Sequence, residues 1–390
     1  MNAFRPASRM RTIPLEGGIR EILARATELE KAGRSVIHME IGRPDFASPD
    51  CAVRAAQAAL EARDVHYTDM AGTEELRCAI ADKLRRENGL DADPAREIVV
   101  TAGAIEALMM TFLTVLEPGE EVLVPAPFFP AYADQISLAE GVLVPVPCRL
   151  EKDFRLQVED VAAALSPKSR ILLLNTPNNP SGAILHRSDL EALATLAAER
   201  NLLVIADECY EKFLYDGTHV SMASLPGMRE RTVTINAASK AFSMTGWRVG
   251  YAHLPAAVKP YAVKVHQNLS TCACSFAQAG VAEAFRSAEE DVRTMIAEYR
   301  RRRDAVVEAL RRIPGMEFTV PQGAFYAFPS VRRFGMPDGE FCRYILEEAG
   351  VAIVPGSVFG APDFVRIAYC RSLEDVEEGM RRIAAAISAL

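Results

Sequence analysis

An α/β fold, with a mostly parallel seven-stranded sheet between helix layers and a smaller α+β domain beside it, is predicted by three features of this 390-residue sequence. Seven short runs, at 98–100, 122–124, 142–144, 171–174, 202–206, 233–235 and 249–252, are apolar nearly throughout rather than at every second residue. Such runs fit strands covered on both faces. Helical stretches alternate with them, as crossovers between parallel strands require. Beyond about 288 the pattern changes: one long helical stretch gives way to short strand-like pieces at 325–328, 351–354 and 364–368.

Taken in order, Ile19, Ile22, Leu23, Ala26 and Leu29 recur with helical period, and Gly33 stops that helix. A strand at 36–41 runs into Gly42-Arg43-Pro44-Asp45-Phe46, whose glycine and proline continue neither element. A helix at 52–62 leads to a loop holding Tyr67, and Thr73 caps the next helix. Val292, Met295, Tyr299, Val306 and Leu310 mark a long helix over about 291–313, which Pro314-Gly315 ends.

The net charge of -8 argues against nucleic acid or an anionic membrane as partner. The one basic run, Arg300-Arg301-Arg302-Arg303, has Glu298 and Asp304 beside it and reads as a solvated helix face. Eight cysteines form no CxxC pair and no histidine spacing suggests zinc, so no metal is expected. Reduced thiols place the protein in the cytoplasm. Met1 to Arg11 has no apolar stretch behind its arginines and is not a secretory leader, and no run is long enough to span a membrane.

Residues with chemical potential cluster just after the strands, where ligands gather in such sheets. Thr101-Ala102-Gly103-Ala104-Ile105-Glu106 opens a helix whose N-terminal amides suit a phosphate, although tight turns use glycine for steric reasons alone. Asn175-Thr176-Pro177-Asn178-Asn179-Pro180-Ser181-Gly182 is a rigid loop able to hold an amide side chain, or merely a turn. Asp207 leaves a fully apolar strand, and a buried carboxylate requires a cationic or N–H partner. Glu208 points to the other side. Lys240 follows the 233–235 run and Arg248 comes eight residues later. A lone lysine there is ordinarily a surface residue. With Asp207 for a pyridinium, Arg248 and a helix N-terminus for a phosphate, and Phe128 or Phe129 as ring cover, the set describes pyridoxal phosphate, with Lys240 as Schiff-base amine.

These motifs, from Ile41-Gly42-Arg43-Pro44-Asp45-Phe46 to Phe364-Val365-Arg366-Ile367-Ala368, resemble those of the class I/II aminotransferases, the aspartate aminotransferase-like branch of pyridoxal-phosphate enzymes with fold type I. The resemblance covers nearly the whole chain. It implies a segment at 1–48 packing with the small domain, a cofactor-binding domain at 49–288 and a small domain at 289–390. It implies that Lys240 binds the cofactor and carries the proton, that Asp207 keeps the pyridine nitrogen protonated, and that Asn179 and Tyr210 bond the ring oxygen. Gly103, Ala104, Ser239 and Arg248 would hold the phosphate, with Ile105 at the same turn and Tyr67 reaching in from the partner of a homodimer. Phe129 would stack on the ring. Arg366 would take the substrate α-carboxylate, with Gly42 and Asn179 beside it. Three departures stand out: Ala237 stands where many relatives have a hydroxyl residue three positions before the lysine, Ile105 where some place a polar one, and Arg43, a surface residue or a contributor to side-chain recognition, is less usual in the Gly-x-Pro-Asp turn.

The activity so implied is ping-pong transfer of an amino group from an L-amino acid to a 2-oxo acid. A carbon-sulfur β-lyase on the same scaffold would use the same cofactor set. A regulatory module of this fold would follow a DNA-binding domain, and motifs that begin by Ile41 leave no room for one.

Overall fold

The structure, a computed structural model, describes residues 5, 7–11, 13 and 18–390. Residues 1–4 and 6 of the stretch read as carrying no secretory leader, and part of the 1–48 segment, lie outside it. All seven predicted runs form one sheet: β1 (Ile98–Thr101), β2 (Glu121–Ala126), β3 (Val142–Pro147), β4 (Ser169–Asn175), β5 (Leu203–Asp207), β6 (Thr232–Ala237) and β7 (Gly250–His253), in the order β1-β7-β6-β5-β4-β2-β3. Every pairing is parallel except those of β7, which runs antiparallel to both β1 and β6.

Successive residues of a strand point to opposite faces, and here both faces are covered. Ile171 and Leu173 of β4 join one core with Leu108, Met110 and Phe112. Leu172 and Leu174 join the other with Leu190 and Leu193. The apolar runs of the sequence are therefore the record of a three-layer packing.

That topology positions the site. Six strands share one direction, so their carboxyl ends meet at one edge of the sheet. β7 runs the other way and begins at that same edge. Arg248, just before β7, thus arrives at the edge reached by Gly103, Asn179 and Lys240, which follow β1, β4 and β6, and by Asp207, which ends β5.

Helices lie within one or two residues of their predicted bounds: Ile19–Lys31, Asp50–Glu61, Glu74–Asn88 and Glu289–Arg312. Thr73 Oγ1 accepts from the Leu76 amide, as its capping role requires. The strand expected at 36–41 is shorter, Ile37–His38, and pairs in parallel with Val351–Ala352, which joins the N-terminal segment to the C-terminal region. A three-stranded antiparallel sheet of Val354–Pro355, Val365–Ala368 and Tyr326–Ala327 places Arg366 on its central strand.

The arginine run is not the solvated face that its charge suggests. Arg302 and Arg303 are buried. Arg302 pairs with Asp45 at 2.7 Å and Glu298 at 3.1 Å and lies over the Phe46 and Tyr299 rings. Arg303 bonds Asp216 and the Pro321 carbonyl. Helix Glu289–Arg312 packs against other elements on more than one side, and neighbouring arginines face different ones.

Candidate active site

At the carboxyl edge of the sheet lies a cavity of about 320 Å³. Its wall includes Gly42, Ala104, Ile105, Phe129, Asn179, Asp207, Tyr210, Ser239, Lys240, Arg248 and Arg366, and Gly103 packs behind Arg248. Thirteen site residues were named from sequence: eleven line the wall, Gly103 lies directly behind it, and Tyr67 stands apart. It is 85% exposed on a single chain. Phe128 packs against Gly360, leaving Phe129 as the aromatic on the wall.

Lys240 is the third residue of a single helical turn, Ala238–Ala241, that follows β6 directly. Its Nζ donates to the Gly42 carbonyl at 2.6 Å and sits 5.7 Å from the Phe325 ring centroid. Burial lowers its pKa, and the positive charges of Arg366 and Arg248 act in the same direction, so the neutral amine is more accessible than for an ordinary lysine. The approach to Gly42 requires a glycine, because a Cβ there would collide with the Tyr326 hydroxyl and ring.

Asp207 is buried and accepts from the Tyr132 hydroxyl at 2.6 Å and the Cys209 amide at 3.1 Å. Burial pushes its pKa up, and those two hydrogen bonds pull the other way. This answers the question of which N–H meets Asp207, and adds a phenol that the sequence did not reveal.

The loop after β4 is held by its asparagines. Asn175 donates to the Asp207 carbonyl and accepts from the Asn179 amide, and Asn178 Oδ1 accepts from Ser181. Asn179 Oδ1 in turn accepts from Arg366 Nη1 at 3.1 Å, which leaves Nδ2 as its donor toward the cavity. Tyr210 and Tyr326 share a 2.8 Å hydroxyl–hydroxyl bond.

Arg366 is 1% exposed and lies between the Tyr326 and Phe359 rings, 4.6 and 4.8 Å from their centroids. Its other hydrogen bond goes to the Glu40 carbonyl, and its Nε is buried without a partner. Among the described residues no carboxylate pairs with it. A guanidinium so desolvated, with neutral oxygens as its partners, has the charge and the planar donor fork that suit a carboxylate.

Arg248 donates to the carbonyls of Thr245 and Ala102, each at 3.1 Å. Its φ of 57° is in the left-handed region, a strain that cavities of this kind retain where function needs it. Gly103, at φ 87°, stacks so closely on the guanidinium that a Cβ would overlap it. It precedes the twelve-residue helix Ala104–Val115, whose first amides face the same corner.

The residues present therefore fit pyridoxal phosphate: a positive cradle at a helix N-terminus, an aromatic wall at Phe129, a buried carboxylate and a buried amine. Thr245 also lines the cavity and supplies a hydroxyl near the corner where Ala237 has none. Tyr132, Tyr326, Thr245 and Glu40 were not singled out from sequence. Tyr132 lies three residues past Phe129, in the first turn of the helix Ala131–Leu138 that follows β2, and its ring meets that of Phe129 edge-on at 5.6 Å.

Beneath the cavity lies a buried polar network. Glu208 faces away from the site and accepts from Ser221, with His219 Nε2 at 3.0 Å. Glu211 accepts from Lys83, Asn88 and Asn236. Glu208, Glu211 and His219 bring ligand atoms within 4.8 Å of one another, but Lys83 already supplies the cation. Burial alone would raise the Glu211 pKa, and Lys83 and His219 outweigh it to bring the value down to about 2. Lys83→Met leaves that carboxylate buried and uncompensated, at a cost of about 3–5 kcal/mol. Urea unfolding should show the loss, and Lys83→Met combined with Glu211→Leu should recover part of it.

The model of the family described as aminotransferase class I and II matches residues 34–383. Aromatic-amino-acid aminotransferase 2 of Thermococcus litoralis is 41% identical, covering 91% of this chain and 92% of its own length. Aspartate aminotransferase of Pyrococcus abyssi is 42% identical, covering 90% and 91%. The structure of Thermus thermophilus aspartate aminotransferase with maleate matches at a TM-score of 0.94 and 37% identity, over 98% of this chain and 100% of that one. Each is named an aminotransferase and none a lyase, and the chain belongs to the class I and II aminotransferase family.

Proposed function

We propose that the cavity binds pyridoxal phosphate and transfers an amino group from an L-amino acid to a 2-oxo acid. The observation that carries this reading is the pairing, in one small cavity, of a neutralisable amine at Lys240 with a buried, carboxylate-free guanidinium at Arg366. When bound, the cofactor supplies an electron-withdrawing ring conjugated to the substrate Cα.

Arg366 holds the α-carboxylate and so fixes which Cα–H faces Lys240. Lys240 Nζ takes that proton and returns it, which its lowered pKa permits. Asp207 keeps a positive charge on the ring nitrogen, and Tyr132 keeps Asp207 in place. Asn179 Nδ2 and Tyr210 donate to the ring oxygen. Gly103, Ala104, Ser239 and Arg248 hold the phosphate, Ile105 borders that turn and Phe129 covers the ring. Residues 49–288 form the cofactor-binding domain, and the 1–48 segment packs with the small domain 289–390, which the pairing of Ile37–His38 with Val351–Ala352 supports.

The site is completed in a homodimer. The support for this is Tyr67, which is 85% exposed on a single chain, with Leu60 and Val65, near it in sequence, also exposed. Tyr67 then reaches the phosphate of the other subunit. Eight unpaired cysteines support a reducing, cytoplasmic setting. No helix among the described residues is long and apolar enough to cross a membrane.

Initial rates measured with donor and acceptor both varied should give parallel double-reciprocal lines, the mark of a ping-pong reaction. Intersecting lines would overturn that mechanism. Gly103→Ala forces a side chain into a left-handed turn against Arg248. It should raise the Kd for pyridoxal phosphate about 10-fold, measured by fluorescence titration.

A further inference from the structure

We infer that Glu106 is a positioning residue for the phosphate corner: its carboxylate, held by His266 and Ser270, fixes the Ala102 backbone on which Arg248 is seated. The inference rests on the cofactor reading above and goes beyond it to a residue outside the cavity wall.

The turn after β1 is braced from several sides. Glu106 Oε2 accepts from the Ala102 amide, and the Ala102 carbonyl accepts from Arg248 Nη2 at 3.1 Å, so a single residue ties the carboxylate to the guanidinium. Thr101 Oγ1 donates to the Gly103 carbonyl at 3.0 Å, and Gln135 Nε2 to the Ile105 carbonyl at 2.7 Å. The Gly103 amide is spent on the Thr101 carbonyl at 2.8 Å. These bonds leave open the amides of Ala104 and Ile105, which precede any intrahelical acceptor. An anion at this terminus would take those two donors.

A carboxylate in the first turn of a phosphate-binding helix needs a reason, because two anions at one terminus repel each other. Glu106 is absent from the cavity wall. Its Oε1 is met by His266 Nδ1 at 2.8 Å and Ser270 Oγ at 2.5 Å, from the end of helix Lys259–Leu269 and the residue after it. A carboxylate only accepts, so Nδ1 of the fully buried His266 carries the proton. Burial raises the Glu106 pKa, and the bonds from His266, Ser270 and the Ala102 amide outweigh it, which keeps the carboxylate ionised. Hydrogen bonds to an ionised acceptor are the stronger kind. The Ala102 carbonyl is one of the acceptors that hold the Arg248 guanidinium, so drift of that residue would move the cation and the open amides together.

Phosphate positioning is told from a merely structural role by comparing pyridoxal phosphate with pyridoxal, which lacks the phosphate. Quenching of Trp247, the one tryptophan, follows the binding of each to the full chain freed of cofactor. Glu106→Leu removes both acceptor oxygens. It should raise the Kd for pyridoxal phosphate at least about 10-fold and that for pyridoxal less than about twofold. Glu106→Gln keeps an acceptor for the Ala102 amide and should stay within about threefold of the wild type for both ligands. Ser270→Ala, at an exposed position where folding tolerates it, should raise the Kd for pyridoxal phosphate about threefold and leave that for pyridoxal unchanged. Equal losses for the two ligands, or an unchanged Kd for pyridoxal phosphate in Glu106→Leu and Ser270→Ala, would overturn the inference while leaving the transaminase reading intact. A wild type that binds pyridoxal phosphate no more tightly than pyridoxal would instead remove the phosphate corner, and the cofactor reading with it.

Discussion

Lys240→Ala should abolish transamination, lowering kcat by at least about 10⁴-fold, while the protein folds normally. The size follows from the position of the amine. Among the described residues Nζ is the amine on the cavity wall; Asp207 is tied to Tyr132 and Cys209, and Glu40, the other carboxylate there, is fully buried with one oxygen on His38. Neither carboxylate is placed to carry the Cα proton in its stead. Folding is spared because Nζ makes a single hydrogen bond, to the Gly42 carbonyl, and no ion pair. Circular dichroism and thermal melting of the variant should match the wild type. Activity within tenfold of wild type would show that another residue carries the proton.

Arg366→Leu should lower kcat/KM about 30- to 4,000-fold, the range that follows from 2–5 kcal/mol for deleting one partner of a buried charge pair. The loss should fall on both substrates alike, because donor and acceptor share the carboxylate that the proposed role assigns to Arg366. Arg366→Lys should recover little. It keeps the charge but lacks the planar fork that stacks between Tyr326 and Phe359 while bonding Asn179 and Glu40. Steady-state kinetics with both substrates varied make the check. A variant with ordinary KM for both would remove Arg366 from carboxylate binding.

The sheet was legible because strands buried on both faces leave uninterrupted apolar runs, and because the residues that follow such strands converge. Asp207 and Lys240 stand out in that way, whereas the choice of Asn179 among the three asparagines of its loop came from the family resemblance. What the chain did not reveal depends on meetings across long separations. Lys83 and Glu211 look like two ordinary surface charges until helix Glu74–Asn88 packs over the turn after β5. Tyr132 acquires its role only where its hydroxyl meets Asp207, and Glu40 only where its strand turns into the cavity. Arg302 and Arg303 mislead in the opposite sense. A run of four arginines has the composition of a wet face, and only the partners Asp45, Asp216 and Glu298 reveal that two of them are inside.

Exposure of the holoenzyme to an L-amino acid with no 2-oxo acid present tests the central claim most directly. Amino-group transfer predicts that 2-oxo acid forms in an amount equal to the enzyme chains and then stops, with no ammonia released and the visible absorption of the cofactor lost. Adding a second 2-oxo acid should restore the absorption. Continuous release of ammonia together with 2-oxo acid, in the absence of any acceptor, would contradict the account and make the enzyme a lyase.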